Sequence, residues 1–255
     1  MKQTSATLKQ SARSALSGHY GLMIGAQITA SLLASAILVP FSLVLNTEES
    51  TRDFIFYQLA AFIVSLVASV LAAGLSHMHL MLGRGKAPAF RDLFSCFRKR
   101  PDRFILLYLI SALVGFLFML PGGIFVVVFL VTKNSLILVL GLVLLLLSLL
   151  PILYWALGTG LCVCLLLDDD ECGVISSIRE SFRLMRGNMT RRLSLYLSFI
   201  GLFLLGLCSC SVGFFWIVPY LRQSEISFYL DLVQTGGPQD FSAQQDFSAS
   251  SDFSS

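Results

Sequence analysis

The run Ser135–Leu167, SLILVLGLVLLLLSLLPILYWALGTGLCVCLLL, contains no aspartate, glutamate, lysine or arginine. Burial in a soluble core does not call for an apolar run of this length, whereas crossing a bilayer takes ~20 mostly apolar residues. The run is too long for one straight crossing, so Pro151 is expected to kink it, or one end to lie along the interface. Four further stretches read the same way, at about 20–46, 54–82, 104–132 and 193–221, and none has a charged residue in its interior. The expected fold is all-α: a polytopic integral membrane helix bundle of about five transmembrane helices. A six-helix count would split 104–167 into three at Pro121-Gly122-Gly123 and Pro151. It would leave Lys133 and Asn134 near mid-membrane, where charge is costly.

Composition agrees. Of 255 residues, 56% are hydrophobic and 13% charged, with a mean hydropathy of +0.79. Soluble domains carry about 25% charged residues, and half of that leaves too little polar surface to cover a water-soluble globule. The net charge of +3 gives no reason to expect nucleic acid as a partner. The first span follows Lys2, Lys9 and Arg13, and Ala34–Ala36 imitates a cleavage site. Its apolar run continues through ILVPFSLVL, beyond an ordinary signal sequence, so it is read as a retained helix.

The positions of the charges give an orientation, because basic residues gather in cytoplasmic loops. With the N-terminus cytoplasmic, fifteen of the eighteen basic residues fall inside: the N-terminal arm, the 83–103 loop and the 168–192 loop. Arg52, Lys133 and Arg222 are then outside, with the acidic loop NTEESTRD and the C-terminal tail. Arg98, Lys99, Arg100, Arg191 and Arg192 are expected to anchor spans at anionic headgroups on the inner face of a cytoplasmic membrane.

Two cytoplasmic segments look amphipathic. Between Gly173 and Gly187, Val174, Ile175, Ile178, Phe182 and Met185 recur at helical spacing. Asp168, Asp169, Asp170 and Glu171 precede them, placed to cap that helix. In AFRDLFSCFRKR, Phe90, Leu93, Phe94 and Phe97 are expected to share one apolar side among basic residues, lying in the interface or docking a soluble partner.

Along the second span, Ala61, Ser65, Ser69, Ala73 and His77 fall every fourth residue. Small residues at that spacing let helices approach closely, so this stripe is the candidate helix-packing face. The domain is expected to occupy 1–231. The remainder, 232–255, is Ser/Gln-rich and repeats Asp-Phe-Ser at Asp240, Asp246 and Asp252, a composition that argues disorder.

Cys162/Cys164 and Cys208/Cys210 are each C-x-C, and on a helix such pairs face nearly opposite ways. No metal site, cofactor or disulfide is expected. His77 and His79 read as one histidine packed between helices and one near headgroups. Nucleophile, zinc-protease and phosphate-loop motifs are absent from the sequence, so no catalytic residue is assigned and the chain is not expected to be an enzyme. An enzyme would need a site built from His77, His79 and the 168–171 carboxylates.

Ser181, Leu184–Gly187 (LMRG), Leu195–Gly201, Val218–Tyr220 and Phe228–Tyr229 carry a resemblance, with Ala12, Arg13, Leu16 and Gly18 upstream and RGKAPAFRDLFSCF between. Over roughly 6–231 the chain resembles the bacterial domain-of-unknown-function 975 family of integral membrane proteins. The region 121–160 departs from that pattern, and the repeat tail lies outside it. The resemblance brings no catalytic residues. The leading expectation is a non-enzymatic scaffold or accessory subunit of a membrane complex, with a membrane protein or a second copy as partner. The alternative is a permease or exporter component for an apolar or lipid-like solute, in which Pro40, Pro121 and Pro151 permit broken helices.

Overall fold

The structure is a computed structural model that describes residues 4–45, 50–209 and 212–236. Lys2, Glu48, Glu49, Cys210 and the Asp-Phe-Ser repeat lie outside the described residues. Among those described there is no strand. The helices are α1 (Ser5–Leu16), α2 (Tyr20–Val44), α3 (Thr51–Gly83), α4 (Ser95–Arg98), α5 (Pro101–Thr132) and α6 (Ser135–Thr159), then α7 (Cys162–Asp168), α8 (Val174–Met185), α9 (Met189–Leu197), α10 (Ile200–Cys208) and α11 (Phe214–Gly236). A 3₁₀ turn, Phe90–Phe94, precedes α4. Five helical stretches are long and apolar enough to cross a membrane: Tyr20–Val44, Thr51–Gly83, Pro101–Thr132, Ser135–Asp168 and Met189–Cys208. The all-α expectation holds.

Local chemistry sets the ends of these helices. α5 runs unbroken through Pro121, and the turn to α6 falls at Lys133, in the left-handed region at φ 53°. Asn134 then caps α6, its Oδ1 accepting from the Leu136 N–H at 3.0 Å. The three-way split at Pro121 and Pro151 is therefore not made. Nor does Pro151 end its helix: α6 continues to Thr159, and the break comes at Gly160-Leu161. Gly158 supplies a reason. Its carbonyl accepts from the Ser181 hydroxyl of α8 at 2.5 Å, and the Phe182 ring fills the space a Cβ would need.

The described chain divides into two compact units, one of 1–21, 79–87 and 190–255, the other of 22–78 and 88–189. In the second, α5 and α6 pair as a hairpin. Gly122 lies against Leu145 and Gly141 against Phe125 and Val126, so the absent side chains let the helices close up. α8 forms as the periodicity predicts, burying Val174, Ser177, Ser181 and Met185, while Ile175 faces outward at 70% exposure. The acidic run does not cap it: Gly173 is the N-cap and supplies no side chain. In the 90–98 segment Leu93 and Cys96 turn inward while Phe90, Phe94 and Phe97 are exposed. The expected common face of Phe90, Leu93, Phe94 and Phe97 is thus divided, because the 3₁₀ turn changes the period.

In the first unit, the stretch expected to form one span over 193–221 is two antiparallel limbs. α9 and α10 make one limb and α11 the other. Phe203 meets Phe214 at 5.8 Å between ring centroids and Phe199 meets Tyr220 at 5.1 Å. Farther from the turn, the Tyr196 hydroxyl donates to Glu225 and Arg191 pairs with Asp231 at 2.7 Å. Gly206 and Gly213 allow the crossing beside the turn, since a Cβ on Gly213 would stand 2.9 Å from Gly206 Cα. α1 packs along α11, burying Leu8, Ala12 and Leu16, four residues apart on one face.

Candidate functional site

Each unit holds one cluster of polar side chains. In the second unit it forms where α5 begins. Arg103, 5% exposed, donates through Nη1 to the carbonyls of Asp169 at 3.0 Å and Cys172 at 3.3 Å. Its Nη2 lies 3.5 Å from Asp170 Oδ1, and its Nε has no hydrogen-bond partner. Arg100 donates to the Asp170 carbonyl at 3.1 Å, and Lys99 pairs with that carboxylate at 3.7 Å. The acidic run thus works through its backbone and Asp170, strapped to the start of α5 by three cations.

Beside this strap lies a cavity of about 20 Å³, lined by His77, Ser95, Cys96, Lys99, Arg103 and Asp170 among others. That is room for one water molecule. Ser95 Oγ is 3.3 Å from His77 Nδ1. Burial pushes the Cys96 thiol up to about 11, against smaller opposing effects from Ser95, Lys99 and Arg103. A thiol held protonated at neutral pH is a poor nucleophile. Burial, and then the neighbouring Asp169, also raises Cys172.

The first unit's cluster joins α9 to α11. Arg192, 4% exposed, lies 3.6 Å from Glu225 Oε1 and donates to the Tyr196 hydroxyl at 3.0 Å. Arg222 reaches the other Glu225 oxygen at 3.4 Å. Arg191 pairs with the buried Asp231 and stacks over Phe228 at 5.4 Å. At the end of α3, His79 is buried and its Nδ1 lies 2.9 Å from Gln223 Oε1, while Gln223 Nε2 has no hydrogen-bond partner. Lys9 of α1 donates to the Ser198 carbonyl at 2.8 Å and lies 4.3 Å over Phe199. Partial burial lowers its pKa.

The expected anchors therefore differ among themselves. Arg98, Lys99 and Arg100 are exposed, whereas Arg191 and Arg192 have their charge met by carboxylates of α11. In the small-residue stripe, Ala73 is buried in an apolar cluster with Val70, Cys96, Phe104 and Cys162. Ala61, Ser65, Ser69 and His77 are only partly buried. Ser65 and Ser69 turn their hydroxyls back to Phe62 and Leu66 carbonyls of their own helix, at 2.6 and 2.7 Å. The tightest approach is at Gly74, where a Cβ would fall on the Leu93 carbonyl oxygen. Of the two histidines, His79 is the packed one and His77 lines the cavity. Sequence reasoning missed Glu225, Asp231 and Gln223, which a single straight span would have kept away from α9 and α3, and with them the role of Tyr196.

No group of three or more His, Cys, Asp or Glu able to hold a metal occurs among the described residues. Both clusters join segments distant in sequence. Residues 1–235 match the family model described as "Protein of unknown function (DUF975)". The chain belongs to this family. Comparison with curated proteins and with solved structures gave no match. The DUF975 match runs through both clusters and both units, so the strap at Arg103 and the α9–α11 ion pairs lie within the family's domain.

Proposed function

We propose that this DUF975 protein is a non-enzymatic scaffold or accessory subunit of a membrane complex, with the N-terminus and the basic 83–103 and 168–192 loops in the cytoplasm. The observation that carries the reading is the open apolar surface of its helices. The apolar windows of the Tyr20–Val44, Pro101–Thr132 and Ser135–Asp168 stretches are only 11%, 6% and 6% buried. Apolar helical surface of that extent fits lipid, the helices of another membrane protein, or a second copy. Arg103, Arg191 and Arg192 meanwhile pair with carboxylates distant in sequence, which holds segments together.

Phe90, Phe94 and Phe97 are exposed beside Arg91, Arg98, Lys99 and Arg100. Aromatic rings with flanking cations fit the headgroup boundary of an anionic membrane. Affinity isolation of the native protein in mild detergent, with mass spectrometry of proteins and lipids, tests the role. A stoichiometric membrane-protein partner or a defined homo-oligomer is expected. A monomer with lipid alone, together with normal assembly of all membrane complexes in a deletion strain, would remove the reading.

A second reading rests on an apolar groove of about 560 Å³ along α5 and α6, lined by Phe116, Met119, Leu120, Ile124, Val127 and Leu145 among others. Its size and lining suit an acyl chain and favour a carrier component for a lipid-like solute. Flux of a fluorescent lipid or amphiphile in reconstituted vesicles, abolished by Gly123→Leu in the groove, is the outcome that distinguishes it.

A further inference from the structure

We infer that the α10–α11 hairpin is a re-entrant membrane element: it dips into one leaflet from the side of α1 and returns the C-terminus to that side. This rests on the chain being membrane-embedded, and not on the scaffold role. The limbs are antiparallel over their whole contact, from Gly206 and Gly213 near the turn to Arg191 and Asp231 at the open end. The open end is charged, holding Arg191, Arg192, Arg222, Glu225 and Asp231 in ion pairs. The turn end is apolar and uncovered. Leu204, Leu205, Leu207, Val212, Phe215 and Trp216 are each 44–67% exposed.

Met189–Cys208 as a whole is long enough to cross, but its first residues carry the charged end, so the length beyond that end decides between dipping and crossing. From the Tyr196–Glu225 contact to Cys208 and Gly213, each limb is thirteen residues, or twelve helical steps, long. At ~1.5 Å per residue that is ~18 Å, short of the ~30 Å hydrocarbon core. A hairpin tip in hydrocarbon must satisfy its own backbone, and four hydrogen bonds among the described residues contribute to this. Ser209 N–H donates to the Leu205 carbonyl at 3.0 Å and Val212 N–H to the Ser209 carbonyl at 3.1 Å. Gly213 N–H donates to the Ser209 hydroxyl at 3.0 Å, and that hydroxyl donates to the Gly206 carbonyl at 2.8 Å.

The side follows from what the open end touches. α1 packs along α11, the Tyr220 hydroxyl donates to the Lys9 carbonyl at 3.3 Å, and Gln223 meets His79 at the end of α3. The end of the described chain is therefore beside the N-terminal helix. Charge distribution improves as well: with Arg222 on that side, sixteen of eighteen basic residues share it, leaving Arg52 and Lys133 opposite. The parity is four full crossings and one hairpin.

Two measurements on the full chain test this. Epitope tags placed before Met1 and after Ser255, in separate versions, are probed with antibody in intact and permeabilised spheroplasts, with Arg52→Cys labelled by an impermeant maleimide as the opposite-side reference. Both tags are expected to share one side; tags on opposite sides overturn the proposal. Trp155→Phe leaves Trp216 as the lone tryptophan. In vesicles it is expected to be quenched at least twofold more by lipid brominated mid-chain than by iodide added from either side. Quenching by iodide from the Arg52 side shows a crossing, and quenching from the α1 side shows a hairpin left in water; either result overturns the inference.

Discussion

Arg191 and Asp231 face each other at 2.7 Å across forty residues of chain, with the aspartate side chain 3% exposed and the arginine 22%. The pair joins the start of α9 to the far part of α11, and it closes the hairpin whose tip is apolar. Truncating one partner strands a buried charge, at a cost of about 3–5 kcal/mol. Arg191→Ala, which leaves the buried Asp231 carboxylate without its guanidinium, is expected to lower the midpoint of thermal unfolding in detergent strongly. Asp231→Ala should do less, because the arginine it leaves behind is partly solvated. A double variant less destabilised than the sum of the singles identifies the pairing, whereas strict additivity refutes it.

Two glycines in apolar helices give opposite expectations. At Gly74 a Cβ would overlap the Leu93 carbonyl oxygen, a backbone atom that cannot swing aside. Gly74→Ala should therefore force α3 and the 90–94 turn apart and destabilise by about 1–3 kcal/mol. Gly115 has nothing within 4 Å of its would-be Cβ. Gly115→Ala should be neutral or stabilising by up to about 1 kcal/mol. Denaturant unfolding of both variants in the same detergent measures the contrast.

Burial raises the Cys96 thiol from 9.0 to about 11, so the folded protein holds that proton more tightly than the unfolded chain. The associated stability is complete below pH 9 and is lost as pH rises toward 11, because only the unfolded thiol ionises readily in that window. Cys96→Ala should flatten the alkaline decline of the unfolding midpoint between pH 9 and 11. An identical decline in both proteins would count against the buried thiol.

Phe94 is 39% exposed beside a basic run. With Trp155 and Trp216 replaced by phenylalanine, Phe94→Trp is expected to show blue-shifted emission in vesicles containing anionic lipid. The shift should shrink when Arg98, Lys99 and Arg100 are all changed to Gln. Equal spectra in neutral and anionic vesicles would detach this segment from headgroups.

Much of this architecture was readable along the chain. The apolar runs, the turn at Lys133-Asn134 and the amphipathic helix ending before Gly187 are signalled by residues close together in sequence. The polar clusters were readable only in part. His77 was visible as a candidate, but Arg103, Glu225 and Asp231 take their roles from partners sixty-six, twenty-nine and forty residues away.

The sequence by itself determined an all-helical chain with five stretches fit for a membrane, because helix length and hydropathy are local properties. Tertiary structure alone decided that 193–221 folds back on itself. That reversal needs Gly206 to meet Gly213 and carboxylates of α11 to neutralise arginines of α9, and both are contacts between chain segments that no local pattern announces.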